Sequence, residues 1–69
     1  MITEKQIIDA VKNYSGVHKD HGKNLEIGML GFVNLFPESS TEEVYTAIKD
    51  WKELILVGSN LLIPKRLLN

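Results

Sequence analysis

The first regular pattern of apolar and polar residues lies at the N-terminus and has helical spacing. Over residues 3–16, TEKQIIDAVKNYSG, apolar side chains recur every three or four positions, as they do on one buried helix face. These apolar residues are Ile7, Ala10, Val11 and Tyr14. Thr3 can cap the helix with Gln6 completing a capping box, and Ser15-Gly16 ends the pattern. The sequence therefore predicts a first amphipathic helix.

The pattern of apolar and polar residues in the middle of the chain does not distinguish clearly between helix and strand. Residues 15–24, SGVHKDHGKN, are polar with two glycines and predict a loop. Residues 25–36, LEIGMLGFVNLF, fit a helical face and a strand period nearly equally well. Gly28 and Gly31 each weaken a helix by about 1 kcal/mol relative to alanine, yet the length suits a helix that ends at Pro37. We expect a second helix here and keep a strand as the alternative.

The C-terminal half combines a capped helix with two apolar runs. Ser40 and Glu43 form a second capping box before an apolar stripe. The stripe consists of Val44, Ala47, Ile48, Trp51 and Ile55. After the helix, LILV and LLIP flank a Gly-Ser-Asn turn at residues 58–60, which predicts a β-hairpin with Pro64 at a strand end. We therefore expect a third helix followed by a hairpin.

Residues 39–68 resemble a winged helix-turn-helix domain. A capped helix with V-Y-x-x-I-x-x-W spacing leads within a few residues into a hairpin that ends in Lys-Arg. The resemblance implies a single α+β domain over residues 1–69, with three helices followed by a C-terminal hairpin. Two features depart from the family pattern: the usual basic surplus is missing, and no glycine separates the third helix from its strand.

The resemblance also implies a small DNA-binding regulatory protein. In such domains the third helix enters the major groove and the wing touches the backbone. The matching groove-contacting residues here are Thr41, Tyr45, Thr46 and Lys49. Lys65 and Arg66, just past the hairpin, would meet phosphate. A cytoplasmic dimer on double-stranded DNA, acting in transcription regulation in bacteria or their mobile elements, is the first expectation.

Charge and hydropathy point to a second expectation, a protein partner. Eight basic and nine acidic residues leave a net charge of −1, whereas DNA-binding domains usually carry a basic surplus. The third helix and the residues after it carry four acids against two lysines on the exposed side, although the two acids in the first turn also complement the helix dipole, by about 0.3–1 kcal/mol. These acids are Glu42, Glu43, Asp50 and Glu53.

The hairpin strands do not alternate between apolar and polar residues, so both of their faces are apolar. Uncovered apolar area of this kind marks a protein interface. The candidate interface residues are Leu56, Leu62, Leu67 and Leu68. They predict a homodimer or a protein-binding winged-helix module, such as an adaptor or an inhibitor encoded by a phage or mobile element. Full burial of Leu62 and Leu67 within a monomer would contradict this.

Other chemistry finds little support. His18, Asp20 and His21 are metal-ligand types, but they lack a fourth ligand and zinc-site spacing, so we expect no metal. No cysteine is present, the serines lie at caps or turns, and no phosphate-binding loop is found, so neither an enzyme nor a cofactor is expected. The lack of cysteine, of a signal peptide and of an apolar run of roughly 20 residues favours a cytoplasmic protein off the membrane.

Overall fold

Three α-helices lie on one face of a four-stranded antiparallel sheet in the computed structural model, which describes residues 1–69. The helices are α1 (Glu4–Lys12), α2 (Met29–Val33) and α3 (Thr41–Asp50). The strands are β1 (His18–His21), β2 (Asn24–Gly28), β3 (Ile55–Val57) and β4 (Asn60–Pro64), followed by a 3₁₀ turn at Lys65–Leu68. Their order in the sheet is β1-β2-β4-β3. The prediction of a small α+β domain is confirmed at this level.

Both predicted capping boxes are present. The Gln6 N–H donates to Thr3 Oγ1 at 3.2 Å while Gln6 Oε1 accepts from the Thr3 N–H at 2.8 Å. At α3 the Glu43 N–H donates to Ser40 Oγ at 3.1 Å, and Glu43 Oε1 accepts from the Ser40 N–H at 3.2 Å. These bonds satisfy backbone groups that the first turn of a helix leaves unpaired. They fix where α1 and α3 begin.

The prediction of a loop over residues 15–24 is wrong, because this stretch contains the first strand and the turn of a hairpin. β1 pairs with β2, and the His21–Asn24 pair encloses a two-residue turn that begins with Gly22 at a φ of 68°. A positive φ at the first turn position is characteristic of a type II′ turn and favours glycine. All four residues of β1 are polar and exposed, so this edge strand shows no apolar alternation in the sequence.

The expectation of one helix over residues 25–36 is also wrong, because the chain changes from strand to helix within it. β2 ends at Gly28, whose extended backbone (φ −64°, ψ 141°) precedes α2 directly. Ile27 is buried on the strand, and Met29 and Phe32 are buried on the helix. The segment fitted both periods because it contains both elements.

The C-terminal hairpin is confirmed, with a turn one residue shorter than predicted. Val57 pairs with Asn60, so Gly58 and Ser59 alone form the turn, and Gly58 has a φ of 63°. Ile55 was expected on the buried stripe of the third helix. It instead begins β3 and is 50% exposed, since α3 has ended five residues earlier.

A single apolar core joins the helices to one face of the sheet. Its buried residues are Ile7, Val11, Ile27, Met29, Phe32, Val44, Ile48, Trp51, Leu54, Leu61 and Ile63. Because strand side chains alternate between faces, the register that buries Ile27 and Leu61 places Glu26, Leu62 and Ile55 on the opposite side. No helix covers that side, and we call it the outer face of the sheet.

The tail after β4 turns back onto the core. Leu67 and Leu68 are half-buried and pack against the core cluster, and their 3₁₀ turn contacts α1. Leu62 is also half-buried, so full burial of Leu62 and Leu67 in the domain's own core is not observed. The tail leucines therefore cover part of the core, while the hairpin keeps apolar surface exposed.

Candidate functional site

The residues that the resemblance implied would contact the DNA major groove lie on α3, and they differ in solvent exposure. Thr41, Thr46 and Lys49 are exposed, whereas Tyr45 is half-buried and packs against the core. Lys49 is the single basic residue within α3. The exposed side of this helix therefore offers Lys49 to a polyanion, with Lys52 exposed just after the helix ends.

Three acids of α3 lie at the helix surface, and one of them, Glu43, has a lowered pKa. The Ser40 backbone N–H lowers the pKa of Glu43 below its ordinary value, because that hydrogen bond favours the carboxylate. Glu42 and Asp50 are exposed on the same helix, at its first turn and its last residue. A phosphate backbone approaching α3 would meet these carboxylates together with Lys49.

Lys65 and Arg66, the residues predicted to meet phosphate, are already paired within the fold. Lys65 Nζ binds the Asp20 carboxylate of β1, and the Arg66 guanidinium binds the Glu53 carboxylate after α3. Lys65 lowers the pKa of Asp20, and Arg66, helped by the Trp51 indole N–H, lowers the pKa of Glu53. The two basic groups of the tail are therefore paired with carboxylates of their own chain.

An open cavity of about 560 Å³ lies between the N-terminal part of α1 and the length of α3. We call it the α1/α3 groove. Ile7, Ala47 and Trp51 contribute apolar lining, and Thr46 also lines it. Its acidic lining residues are Glu4, Glu42, Glu43 and Asp50. No lysine or arginine side chain lines the groove, and its one cation is the Met1 ammonium, 3.7 Å from Glu43 Oε2. Four carboxylates against one ammonium leave the groove with an apolar floor and net negative charge.

A second exposed apolar surface is strand β3. Its residues Ile55, Leu56 and Val57 are 50%, 37% and 56% exposed. Sequence reasoning named Leu56 and its hairpin neighbour Leu62, but it missed Ile55 and Val57. The signal was present in the turn: a two-residue Gly58–Ser59 turn sets the register in which Ile55 and Val57 share the outer face with Leu62.

The three metal-ligand candidates of the first hairpin are separated by strand alternation. His18 and Asp20 lie on one side of β1 and His21 on the other. His18 Nδ1 lies 3.0 Å from the Gly16 carbonyl oxygen, and His21 Nε2 lies 2.6 Å from Glu26 Oε1. The structure brings no three histidine or carboxylate side chains together as metal ligands.

Comparisons with known proteins assign no relative to this fold. No protein-family model, curated protein sequence or solved structure matches the chain significantly. None of the helices has both the length and the apolar composition required to span a bilayer. The residues of the α1/α3 groove and of β3 are therefore the basis for a functional assignment.

Proposed function

We propose that this chain is a protein-binding module of the winged-helix type, and that the α1/α3 groove holds a basic, partly apolar segment of its partner. The order α1, α2, α3 and C-terminal hairpin supports the winged-helix assignment. The first hairpin, β1 and β2, is inserted between α1 and α2 and widens the sheet beyond a simple wing.

The observation that carries this proposal is the composition of the groove. Four carboxylate side chains surround an apolar floor that includes Trp51, and no lysine or arginine side chain lies among them. Phosphate contacts supply much of the affinity of DNA-binding proteins, and their source is lysine and arginine. The α1/α3 groove therefore opposes phosphate and suits ammonium or guanidinium groups.

The expected contributions of charge and of apolar burial to partner binding follow from the size of each effect. Exposed ion pairs contribute about 0.2–1 kcal/mol each, whereas apolar burial contributes roughly 25 cal/mol per Å². Most of the affinity should come from apolar side chains of the partner that cover Ile2 and Ala47, the half-buried apolar residues of the lining. The carboxylates should instead select partners by charge and speed their encounter.

Selection from a random peptide display library, followed by titration of the purified peptides, tests this proposal. Trp51 is the only tryptophan and lines the groove, so a change in its emission on titration would place the peptide there. We expect the selected peptides to place lysine or arginine beside apolar residues. Selected peptides without basic residues would refute the assignment.

Two charge-reversal variants test whether the peptides bind at the α1/α3 groove. Asp50→Lys places a positive charge in the groove, and Glu38→Lys makes the same charge change at an exposed acid outside it. We expect Asp50→Lys to weaken peptide binding by about tenfold, because like charges then face each other, and Glu38→Lys to leave it nearly unchanged. Equal effects of the two variants would show that only the net charge matters.

A further inference from the structure

Strand β3 leaves one edge of the sheet open. It pairs only with β4, and its three side chains are all apolar and exposed. In a hairpin with a two-residue turn the pair next to the turn, Val57–Asn60, is hydrogen-bonded, and such pairs alternate along the ladder. Leu56–Leu61 is therefore a non-hydrogen-bonded pair. The N–H and C=O of Leu56 consequently point away from β4, towards the free edge.

We propose that β3 pairs antiparallel with β3 of a second copy of this chain, around a two-fold axis at Leu56. The Leu56 residues of the two copies would then exchange both N–H···O=C bonds, as a hydrogen-bonded antiparallel pair does. Ile55 of each copy lies opposite Val57 of the other, and the two sheets join into one. The pairing uses the same strand on both sides, as an isologous contact requires.

A second copy can pair with this edge because the strand is uncharged and apolar along its whole length. In the register centred on Leu56, Glu53 approaches the uncharged Gly58–Ser59 turn of the other copy, so no like charges meet. A net charge of −1 produces little long-range repulsion between copies. The polar edge at the other end of the sheet, β1, offers no apolar side chain for an equivalent contact.

The predicted dimer is weak. A three-residue strand contributes few hydrogen bonds, and short edge strands limit edge-to-edge association. Interfaces below the standard size belong to transient complexes, so we expect a dissociation constant of about 10–100 µM. The inference does not depend on the proposed peptide-binding function, because β3 and the α1/α3 groove share no residue.

Sedimentation equilibrium over a range of concentrations up to about 500 µM tests the dimer directly. Val57→Lys adds a charge to the edge strand, and Val17→Lys makes the same substitution at an exposed valine beside β1, at the opposite edge. We expect the wild-type chain and Val17→Lys to dimerise, and Val57→Lys to weaken the dimer at least about tenfold. A wild-type chain that stays monomeric throughout would overturn the proposal.

Leu56→Pro tests the backbone bonds separately. Proline removes the N–H that points to the free edge, a position where edge strands tolerate it. Circular dichroism of each variant verifies that the fold is retained. A folded Leu56→Pro variant should be monomeric where the wild-type chain is a dimer. Dimerisation unchanged in both folded edge variants would place the contact elsewhere and overturn the assignment to β3.

Discussion

At the scale of single residues, contacts within the fold determine which charges remain available to a partner. Lys65 and Arg66 resemble phosphate-binding groups in the sequence, yet each binds a carboxylate of its own chain. Lys49 remains exposed on α3 but lies among acids. Of the three basic residues that the resemblance assigned to DNA contact, two are therefore paired within the fold and one shares its helix with acids.

Gly58 provides a residue-scale prediction, because its φ of 63° lies in the left-handed region that side chains disfavour. A Cβ at this position would meet no atom within 4 Å, so Gly58→Ala should cost only backbone strain. We expect a loss of about 1 kcal/mol in the free energy of unfolding, measured by urea denaturation. Ser59→Ala, at a turn residue without a positive φ, is the control and should change stability little. Equal losses in the two variants would contradict the conformational explanation.

At the scale of elements, the sequence predicted those helices and turns that are marked by a local sequence motif. Capping boxes marked the starts of α1 and α3, and Gly58 marked the second hairpin. β1 escaped detection because a strand that is polar on both faces at a sheet edge carries no period-two pattern. The change from β2 to α2 at Gly28 was missed because a single period was fitted across both elements.

The candidate site was predictable only in part, because its charges depend on contacts that are distant in sequence. The acids of α3 could be placed by helical spacing alone. The pairing of Lys65 with Asp20 joins residues 45 positions apart, and no local pattern reveals it. The α1/α3 groove likewise requires two helices that are far apart in the sequence and adjacent in the fold.

The capping box of α3 gives an element-scale prediction. Ser40→Ala removes the oxygen that accepts from the Glu43 N–H, and we expect a loss of about 1 kcal/mol in the free energy of unfolding. Glu43→Gln keeps an acceptor for the Ser40 N–H and should be milder, because glutamine also completes a capping box. Thermal unfolding followed by far-ultraviolet circular dichroism compares the two. A larger loss for Glu43→Gln would show that the carboxylate charge outweighs the cap.

At the scale of the whole molecule, ion pairs link the tail to β1 and to the connection between α3 and β3, and they make stability depend on pH. Asp20, Glu43 and Glu53 each have a pKa below the ordinary carboxyl value of about 4. Folding therefore favours their ionised forms. This stabilisation is fully present above the unfolded-state pKa and is lost as pH falls through the lower folded-state values.

We therefore expect the urea midpoint to decrease as the pH falls from about 5 to about 2, and to change less above that range through these three groups. Lys65→Gln combined with Arg66→Gln removes the partners of Asp20 and Glu53, which are the first causes of their lowered pKa. The double variant should be less stable at neutral pH and should lose less on acidification. A pH profile parallel to that of the wild-type chain would contradict these assignments.

The whole molecule presents two separate candidate surfaces, the α1/α3 groove in the helical layer and the free edge of β3 in the sheet. One carries negative charge around an apolar floor, and the other is apolar and exposed. A chain that dimerises through β3 would present two grooves to its partners. Basic segments repeated in one partner would then bind more tightly than a single segment, through effective concentration.

The class of partner is tested most directly by fluorescence anisotropy of a labelled, generic DNA duplex titrated with the protein at low salt. We predict no binding in the micromolar range, because the exposed side of α3 carries carboxylates and the tail cations are paired. Micromolar binding that weakens steeply as salt is raised would show several phosphate contacts. Loss of that binding in Lys49→Glu would then assign α3 to DNA and contradict the protein-binding function.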